Sequence, residues 1–348
     1  MIAHRGASGY LPEHTLPAKA LAYGQDADYL EQDVVLSKDN VPIVLHDIFL
    51  DEVSDVAHVF PGRNRSNGRF YAIDFTAAEI KSLRASERFH WNTGNPIFST
   101  RFPLNQSNFQ LVTLVEELEF VAGLNQQANV NNRKPIGIYV EIKEPEFHKN
   151  QNRANFSEIV LELLRKYNYT KRTDPVFLQS FDIEELQRIR VNLGSDLKLV
   201  GLLTENNDRS ESSETDYTYW TSEVGIEDMA RFVDGIGPHY SQLFQIGNVL
   251  EPSNLFHYAR KYNLFIHPYT FRSDRIVEPF LTLEKMFEFF LDQLKVDGLF
   301  IDQPDKAVQY LRNKANQSSN GPRINISWCL LLLLVTTSIL FQNLLFSK

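Results

Sequence analysis

The 348-residue chain has one cysteine, Cys329, and it lies in an apolar stretch near the C-terminus. A disulfide framework and a cysteine-ligated zinc site are therefore excluded from the rest of the chain, whose stability has to come from packing. Basic charge is also short. Lys and Arg number 35 against 44 Asp and Glu, a formal net charge of −9, and no Lys/Arg cluster stands out, which disfavours a nucleic-acid partner. There is no glycine-rich nucleotide loop. The chain opens at Met1-Ile2-Ala3-His4 without the basic and apolar leader of a secreted protein, as expected if the N-terminus is incomplete. What the sequence does have is apolar content, 43% of its residues, enough for a large core, and a length that suits one barrel better than two small domains.

Short β-like runs alternate with amphipathic helix-like runs almost to the end of the chain. Candidate strands fall at 2–4, 29–35, 136–142, 176–179, 197–202, 235–238, 264–267 and 298–301, with helical stretches such as 159–167, 183–191, 254–262, 283–294 and 306–311 between them. Eight such units predict an α/β fold, a TIM (β/α)8 barrel over 1–312, rather than an open doubly wound sheet. From about 47 to 110 the rhythm breaks into Asn, Arg, Ser and Pro, including Phe60-Pro61-Gly62-Arg63-Asn64, which predicts a subdomain inserted after the second strand on the active-site face. Residues 313–323 read as a linker. Residues 324–346 are almost wholly apolar and long enough to span a bilayer, so a transmembrane helix or a GPI-attachment signal is expected there. Six Asn-x-Ser/Thr sequons, beginning at Asn64, Asn105, Asn155, Asn168, Asn316 and Asn325, fit a glycosylated domain on the extracytoplasmic side; a tail anchor with a cytosolic domain is the alternative.

The chemistry concentrates at predicted strand ends. Side chains of a strand repeat every second residue, so Glu31 and Asp33 share one face of the second strand. Glu141 does the same on the third, with Tyr139 and Lys143. Three carboxylates converging on one barrel mouth repel one another unless a cation sits among them, and oxygen ligands suit Mg²⁺ or Ca²⁺. His46 ends an apolar run that reads as the return strand of a hairpin. If Asp39-Asn40 is a two-residue turn, His46 lies opposite Asp33; a three-residue turn shifts the register by one. His4-Arg5-Gly6 stands at the end of the first strand. There Arg5 offers a fork matched to phosphate oxygens, and His4 and His46 can exchange protons near neutral pH. A single acid is more often a solvated charge and a single His more often structural; their grouping on several strands is what favours a site. His267, in His267-Pro268-Tyr269, stands at another strand end.

These residues resemble the glycerophosphodiester phosphodiesterases, especially the bacterial periplasmic type. The resemblance rests on 4–15 (His4-Arg5-Gly6-Ala7-Ser8-Gly9-Tyr10-Leu11-Pro12-Glu13-His14-Thr15), Tyr29-Leu30-Glu31-Gln32-Asp33, His46-Asp47 and Glu141-Ile142-Lys143. It continues through Leu178-Gln179-Ser180-Phe181, His267-Pro268-Tyr269-Thr270-Phe271-Arg272 and Asp297-Gly298-Leu299-Phe300-Ile301-Asp302, so that it covers nearly all of 1–312. It implies that Glu31, Asp33 and Glu141 bind one divalent cation, Ca²⁺ or Mg²⁺, that His4 and His46 are the acid/base pair, and that Arg5, Lys143, Gln179, His267 and Tyr269 contact the substrate. The implied reaction is hydrolysis of glycerophosphodiesters to sn-glycerol 3-phosphate and an alcohol such as choline or ethanolamine. The hydrophobic tail, through which the chain would meet a membrane, departs from the bacterial pattern. Two rival readings are a phospholipase D of the sphingomyelinase type and a surface binding protein that has lost its chemistry.

Overall fold

The computed structural model describes residues 1–319 except 154, 209–212 and 248. All eight expected strands are present: β1 (Ile2–Ala3), β2 (Tyr29–Leu36), β3 (Gly137–Ile142), β4 (Val176–Ser180), β5 (Lys198–Leu203), β6 (Gly235–Pro238), β7 (Phe265–Ile266) and β8 (Phe300–Ile301). They pair in parallel in the order β7-β6-β5-β4-β3-β2-β1-β8. The ring closes between β7 and β8 through the bridge of Phe271 with Ile301 and a hydrogen bond from Phe300 N to Pro268 O. Each strand is followed by a helix, α1 (Leu16–Gly24), α2 (Leu114–Val130), α3 (Phe156–Lys166), α4 (Ile183–Val191), α5 (Glu223–Met229), α6 (Asn254–Lys261), α7 (Leu283–Phe287) and α8 (Pro304–Ser319). This is the (β/α)8 barrel expected from the alternation.

Local chemistry starts these helices where they do. Thr15, Thr113, Asp182 and Ser253 each accept from a backbone N–H in the first turn of α1, α2, α4 and α6, satisfying a donor that has no intrahelical partner. The barrel interior is filled by Ile2, Tyr139, Phe177, Val200 and Phe300, so it is a packed core rather than a pore.

Between the short strand Pro42–Val44, antiparallel to β2, and α2 lies the expected insertion. It has its own apolar centre of Leu50, Val53, Val56, Phe70, Phe75 and Ile80. The hairpin differs from the two-residue expectation. Leu36 pairs with Pro42 and Val34 with Val44, and Leu45 N donates to Asp33 O at 2.9 Å, so Leu45 and not His46 stands opposite Asp33. The reason is a three-residue connection, Lys38-Asp39-Asn40, in which Asn40 takes a left-handed φ of 61° and the Ser37 hydroxyl holds Asp39 and Val41 N.

One compact unit spans 1–308 and a second 309–348, of which only the end of α8 is described. Among the described residues no helix is long and apolar enough to cross a membrane. The apolar stretch 324–346 expected to do so, and residues 320–323 of the expected linker, lie outside the described residues, while 313–319 continue α8 and are helical rather than a linker.

Candidate active site

The acids converge because the strands are in register. Asp33 on β2 is aligned with Glu141 on β3, and Glu141 with Gln179 on β4. With Glu31 they line a cavity of about 150 Å³ at the C-terminal ends of the strands, together with His4, Arg5 and His46. The outward-facing residues of β2 fix it from behind. Gln32 spans from Glu117 Oε1, at 3.1 Å, to Tyr139 N, and the fully buried Lys19 joins Glu117 Oε1, at 2.5 Å, to the backbone carbonyl of Glu31.

A sharp corner follows β1. Arg5 has φ 56° and Gly6 φ 86°; a Cβ on Gly6 would lie 2.8 Å from the backbone carbon of Ala18, so only glycine fits. The corner turns Arg5 N toward Glu31 Oε2, 2.6 Å away. The Arg5 guanidinium is held by Glu13 at 3.0 and 3.1 Å, with its Nε 3.5 Å from Asp33 Oδ2. It is thus anchored inside the site rather than reaching freely for phosphate.

Each histidine is oriented by a carboxylate. His4 Nδ1 lies 2.7 Å from Asp302 Oδ1, and His46 Nδ1 lies 2.7 Å from Asp47 Oδ1. An ionised carboxylate only accepts, so each Nδ1 carries the hydrogen and each Nε2 keeps its lone pair. Burial and then Arg5 lower His4 to about 4, against the pull of Asp302. Burial and then Arg5 likewise lower His46 to about 3, against Asp47. Both rings are neutral at pH 7. Lys143 Nζ stands 2.8 Å from Glu141 Oε1 and 3.5 Å from His46 Nε2.

The carboxylates divide. Burial alone would raise Asp33, but His46, His14 and Lys143 hold it well below the usual range. Burial and the neighbouring Asp33 push Glu31 well above it. Glu141 is pushed up to about 8 by burial and Asp33, against Lys143. Buried without a hydrogen-bond partner are Asp33 Oδ1 and Gln179 Oε1. Crowded acids, two of them favouring protonation, and an oxygen left without a partner are the marks of a cation site. Ligand atoms of His14, Glu31 and Asp33 lie within 4.8 Å of one another; His14 Nε2 is 2.7 Å from Asp33 Oδ2.

Most of the expected residues meet. His4, Arg5, Glu31, Asp33, His46, Glu141, Gln179 and Tyr269 all line the inner cavity, and Lys143 lines the adjoining one. His267 lines neither cavity and is a correction. Its Nδ1 meets the Tyr139 hydroxyl at 3.1 Å and its ring packs on Phe265 and Phe177, because it lies in the aromatic interior below the mouth. Sequence reasoning missed His14, Asp47 and Asp302 as partners of the reacting groups, although all three sit inside quoted motifs. It also missed Arg88 and Arg101, for which no local signal exists.

A second cavity of about 870 Å³ adjoins the first, sharing His46, Glu141, Phe181 and Tyr269. Its outer wall comes from the insertion, with Phe49, Tyr71 and Trp91, and from the segment after β3, with Glu144 and, in the short helix Pro145–Asn150, Glu146 and Phe147. Tyr71 and Phe147 stack across these two segments, centroids 5.7 Å apart.

Comparison with known proteins agrees with this geometry. Residues 4–306 match the model of the glycerophosphoryl diester phosphodiesterase family. The chain is 42% identical to a glycerophosphodiester phosphodiesterase of Haemophilus influenzae, over 90% of this chain and 89% of that one. It is 38% identical to one of Treponema pallidum, over 90% and 92%. Among solved structures it is similar to an Oleispira antarctica phosphodiesterase in complex with the product sn-glycerol-3-phosphate, with a TM-score of 0.56, 19% identity and coverage of 89% and 96%. It is also similar to a glycerophosphodiester phosphodiesterase from Thermotoga maritima, with a TM-score of 0.52, 19% identity and coverage of 88% and 96%. Fold, converging acids and paired histidines thus fit a single conclusion: the chain belongs to the glycerophosphoryl diester phosphodiesterase family.

Proposed function

We propose that the inner cavity hydrolyses glycerophosphodiesters to sn-glycerol 3-phosphate and a free alcohol, with Glu31, Asp33 and Glu141 holding one divalent cation, Ca²⁺ or Mg²⁺. The observation that carries this is the shared register of Asp33, Glu141 and Gln179 beneath two histidines whose Nδ1 atoms are each fixed by a carboxylate. The cation supplies charge neutralisation at the phosphoryl oxygens. Lys143, a buried ammonium beside Glu141, binds and orients the phosphate from one flank, and the Arg5 guanidinium, held in place by Glu13, adds its positive charge from the other. One neutral Nε2 takes the proton of the glyceryl hydroxyl as its oxygen attacks phosphorus, and the bond to the alcohol oxygen breaks. The other histidine, neutral in the free site, takes up a proton when the anionic phosphate binds beside it and delivers that proton to the departing alcohol. Water then opens the cyclic phosphate with the proton roles reversed.

The alcohol falls in the outer cavity. There Glu144, Glu146, Asp182 and Asp208 outnumber Arg69 and Lys143, and aromatic faces stand near them. That balance favours an alcohol bearing a positive charge, such as choline or ethanolamine. The test is incubation of the purified protein with glycerophosphocholine and with sphingomyelin in the presence of cation, following release of glycerol 3-phosphate and choline. Cleavage of sphingomyelin alone would establish the phospholipase D reading instead, and cleavage of neither would leave a binding protein. His46→Ala should lower kcat by roughly 10²- to 10⁴-fold with little change in thermal midpoint; normal turnover would remove His46 from the mechanism.

Residues 324–346 are proposed to attach the enzyme to a membrane, with the catalytic domain on the extracytoplasmic side; the uniform apolar run and the sequons support this. Recovery of the full chain in the aqueous phase of a detergent partition would contradict the attachment.

A further inference from the structure

The insertion does more than wall the outer cavity. Each histidine-bound carboxylate has a second oxygen, and in both cases a largely enclosed arginine of the insertion holds it. Arg88 Nη1 lies 2.5 Å from Asp47 Oδ2, while Asp47 Oδ1 receives His46. Arg101 Nη2 lies 2.6 Å from Asp302 Oδ2, while Asp302 Oδ1 receives His4. The two arginines come from segments 13 residues apart, yet they serve acids at opposite ends of the chain. We propose that Arg88 and Arg101 are positioning residues that lock the two Asp–His pairs, so that the insertion sets the ring angles of both proton-carrying histidines. This rests on the reading of His4 and His46 as those carriers.

The physical reason is the geometry of a carboxylate. Held through one oxygen only, it swivels about its last torsion and takes the imidazole with it; held through both, its plane is fixed and the Nε2 lone pair points in one direction. The arginines are themselves over-determined. Arg88 also meets Glu13 Oε1 at 2.6 Å and Glu52 Oε2 at 2.9 Å, and Glu13 is the acid that anchors Arg5. Arg101 also meets Asp274 at 2.7 Å and lies 3.6 Å over the Phe98 ring. The two locks differ in one respect. Asp302 Oδ2 has a further partner, Arg272 Nε at 2.8 Å, whereas no other arginine among the described residues is hydrogen-bonded to Asp47. Arg63, also in the insertion, takes no part: it pairs with Glu79 and the Asp74 carbonyl.

The test compares Arg88→Gln, Arg101→Gln, the two Arg→Lys variants and Arg63→Gln as control, in steady-state hydrolysis of glycerophosphocholine at saturating cation. Arg88→Gln should lower kcat on the order of 10²-fold and also raise KM, because Glu13 loosens with it. For Arg101→Gln, where Arg272 keeps a hold, the fall should be on the order of tenfold in kcat with KM nearly unchanged. Lysine should restore part of kcat in each case, and Arg63→Gln should match wild type. Wild-type kcat in both Gln variants would overturn the proposal, as would a loss equal to that of Arg63→Gln. If a Gln variant does not fold, its Lys variant decides: a kcat equal to wild type refutes the lock at that position, and a partial loss supports it. His4→Ala and His46→Ala are run beside these. Inactive His variants with active Arg variants would sink only the lock, whereas active His variants would sink the mechanism beneath it.

Discussion

Binding of a divalent cation should expel protons from the site, in a pH window set by Glu141. That carboxyl is pushed up to about 8 from a usual 4.5 by burial and by Asp33, against Lys143, and Glu31 is raised well above the same value by burial and Asp33. Without a cation at pH 7, Glu141 is mostly protonated, while Asp33, held well below the usual range, carries negative charge. A carboxyl must lose its proton to become a ligand. With Glu141 at about 8, that loss costs about 1.4 kcal/mol at pH 7 and about twice that at pH 6, so cation affinity should climb about tenfold per pH unit and level off above 8. Calorimetry of Mg²⁺ and Ca²⁺ binding in two buffers of different ionisation enthalpy, at pH 6, 7 and 9, reads this directly: about one proton from Glu141 released per ion at the lower values, fewer at 9. Stability has the opposite sign. A raised carboxyl favours the folded state below 4.5 and loses that contribution as pH rises through about 8, so the cation-free thermal midpoint should fall from pH 6 to 9 and cation should restore it most at pH 9. No proton release at pH 6, together with a flat cation-free midpoint, would refute the assignment of these acids to one shared site.

Three further substitutions probe what surrounds the acids. Lys19→Met leaves Glu117 buried without its cation and should destabilise by roughly 3–5 kcal/mol, with Glu117→Gln added to it recovering part, as read by urea unfolding; an unchanged midpoint would mean the pair is not formed. Gly6→Ala, forced to φ 86° with its Cβ against Ala18, should lose roughly 1–3 kcal/mol or more, and a neutral result would show that the corner after β1 relaxes. Glu146→Lys should lower kcat/KM for glycerophosphocholine by about fivefold, roughly 1 kcal/mol, while sparing glycerophosphoglycerol. Equal effects on the two substrates would argue against charge recognition in the outer cavity.

The barrel was legible because its signal is local. Alternation of apolar runs with amphipathic ones marks each strand and helix within ten or so residues, and period two along 29–35 already puts Glu31 and Asp33 on one side. Register between β2 and β3 then brings Glu141 to them. The hairpin was one residue off, since its length depends on whether Asn40 takes a left-handed conformation, and Lys38-Asp39-Asn40 permits either count. His267 misled for a different reason: period two tells which face a side chain takes, not how deep along the barrel axis it lies, and the ring belongs to the aromatic layer with Tyr139. His14, Arg88 and Arg101 were out of reach because their partners lie 19, 41 and 201 residues away, and sequence spacing at that range carries no geometry.

The charges at the junction of insertion and barrel limit how the loop can be exchanged. Removing 47–110 would strip Glu13 and Asp302 of buried guanidinium partners at once and delete Asp47 from beside His46. A shortened chimera would leave Glu13 with Arg5 and Asp302 with Arg272 as their remaining arginines in the mouth, and would favour water entry over closure. Any graft that keeps the phosphorus chemistry while changing the leaving alcohol has to carry the His46 flank and two guanidiniums in their present places, and is free to vary only the aromatic rim around Tyr71 and Trp91.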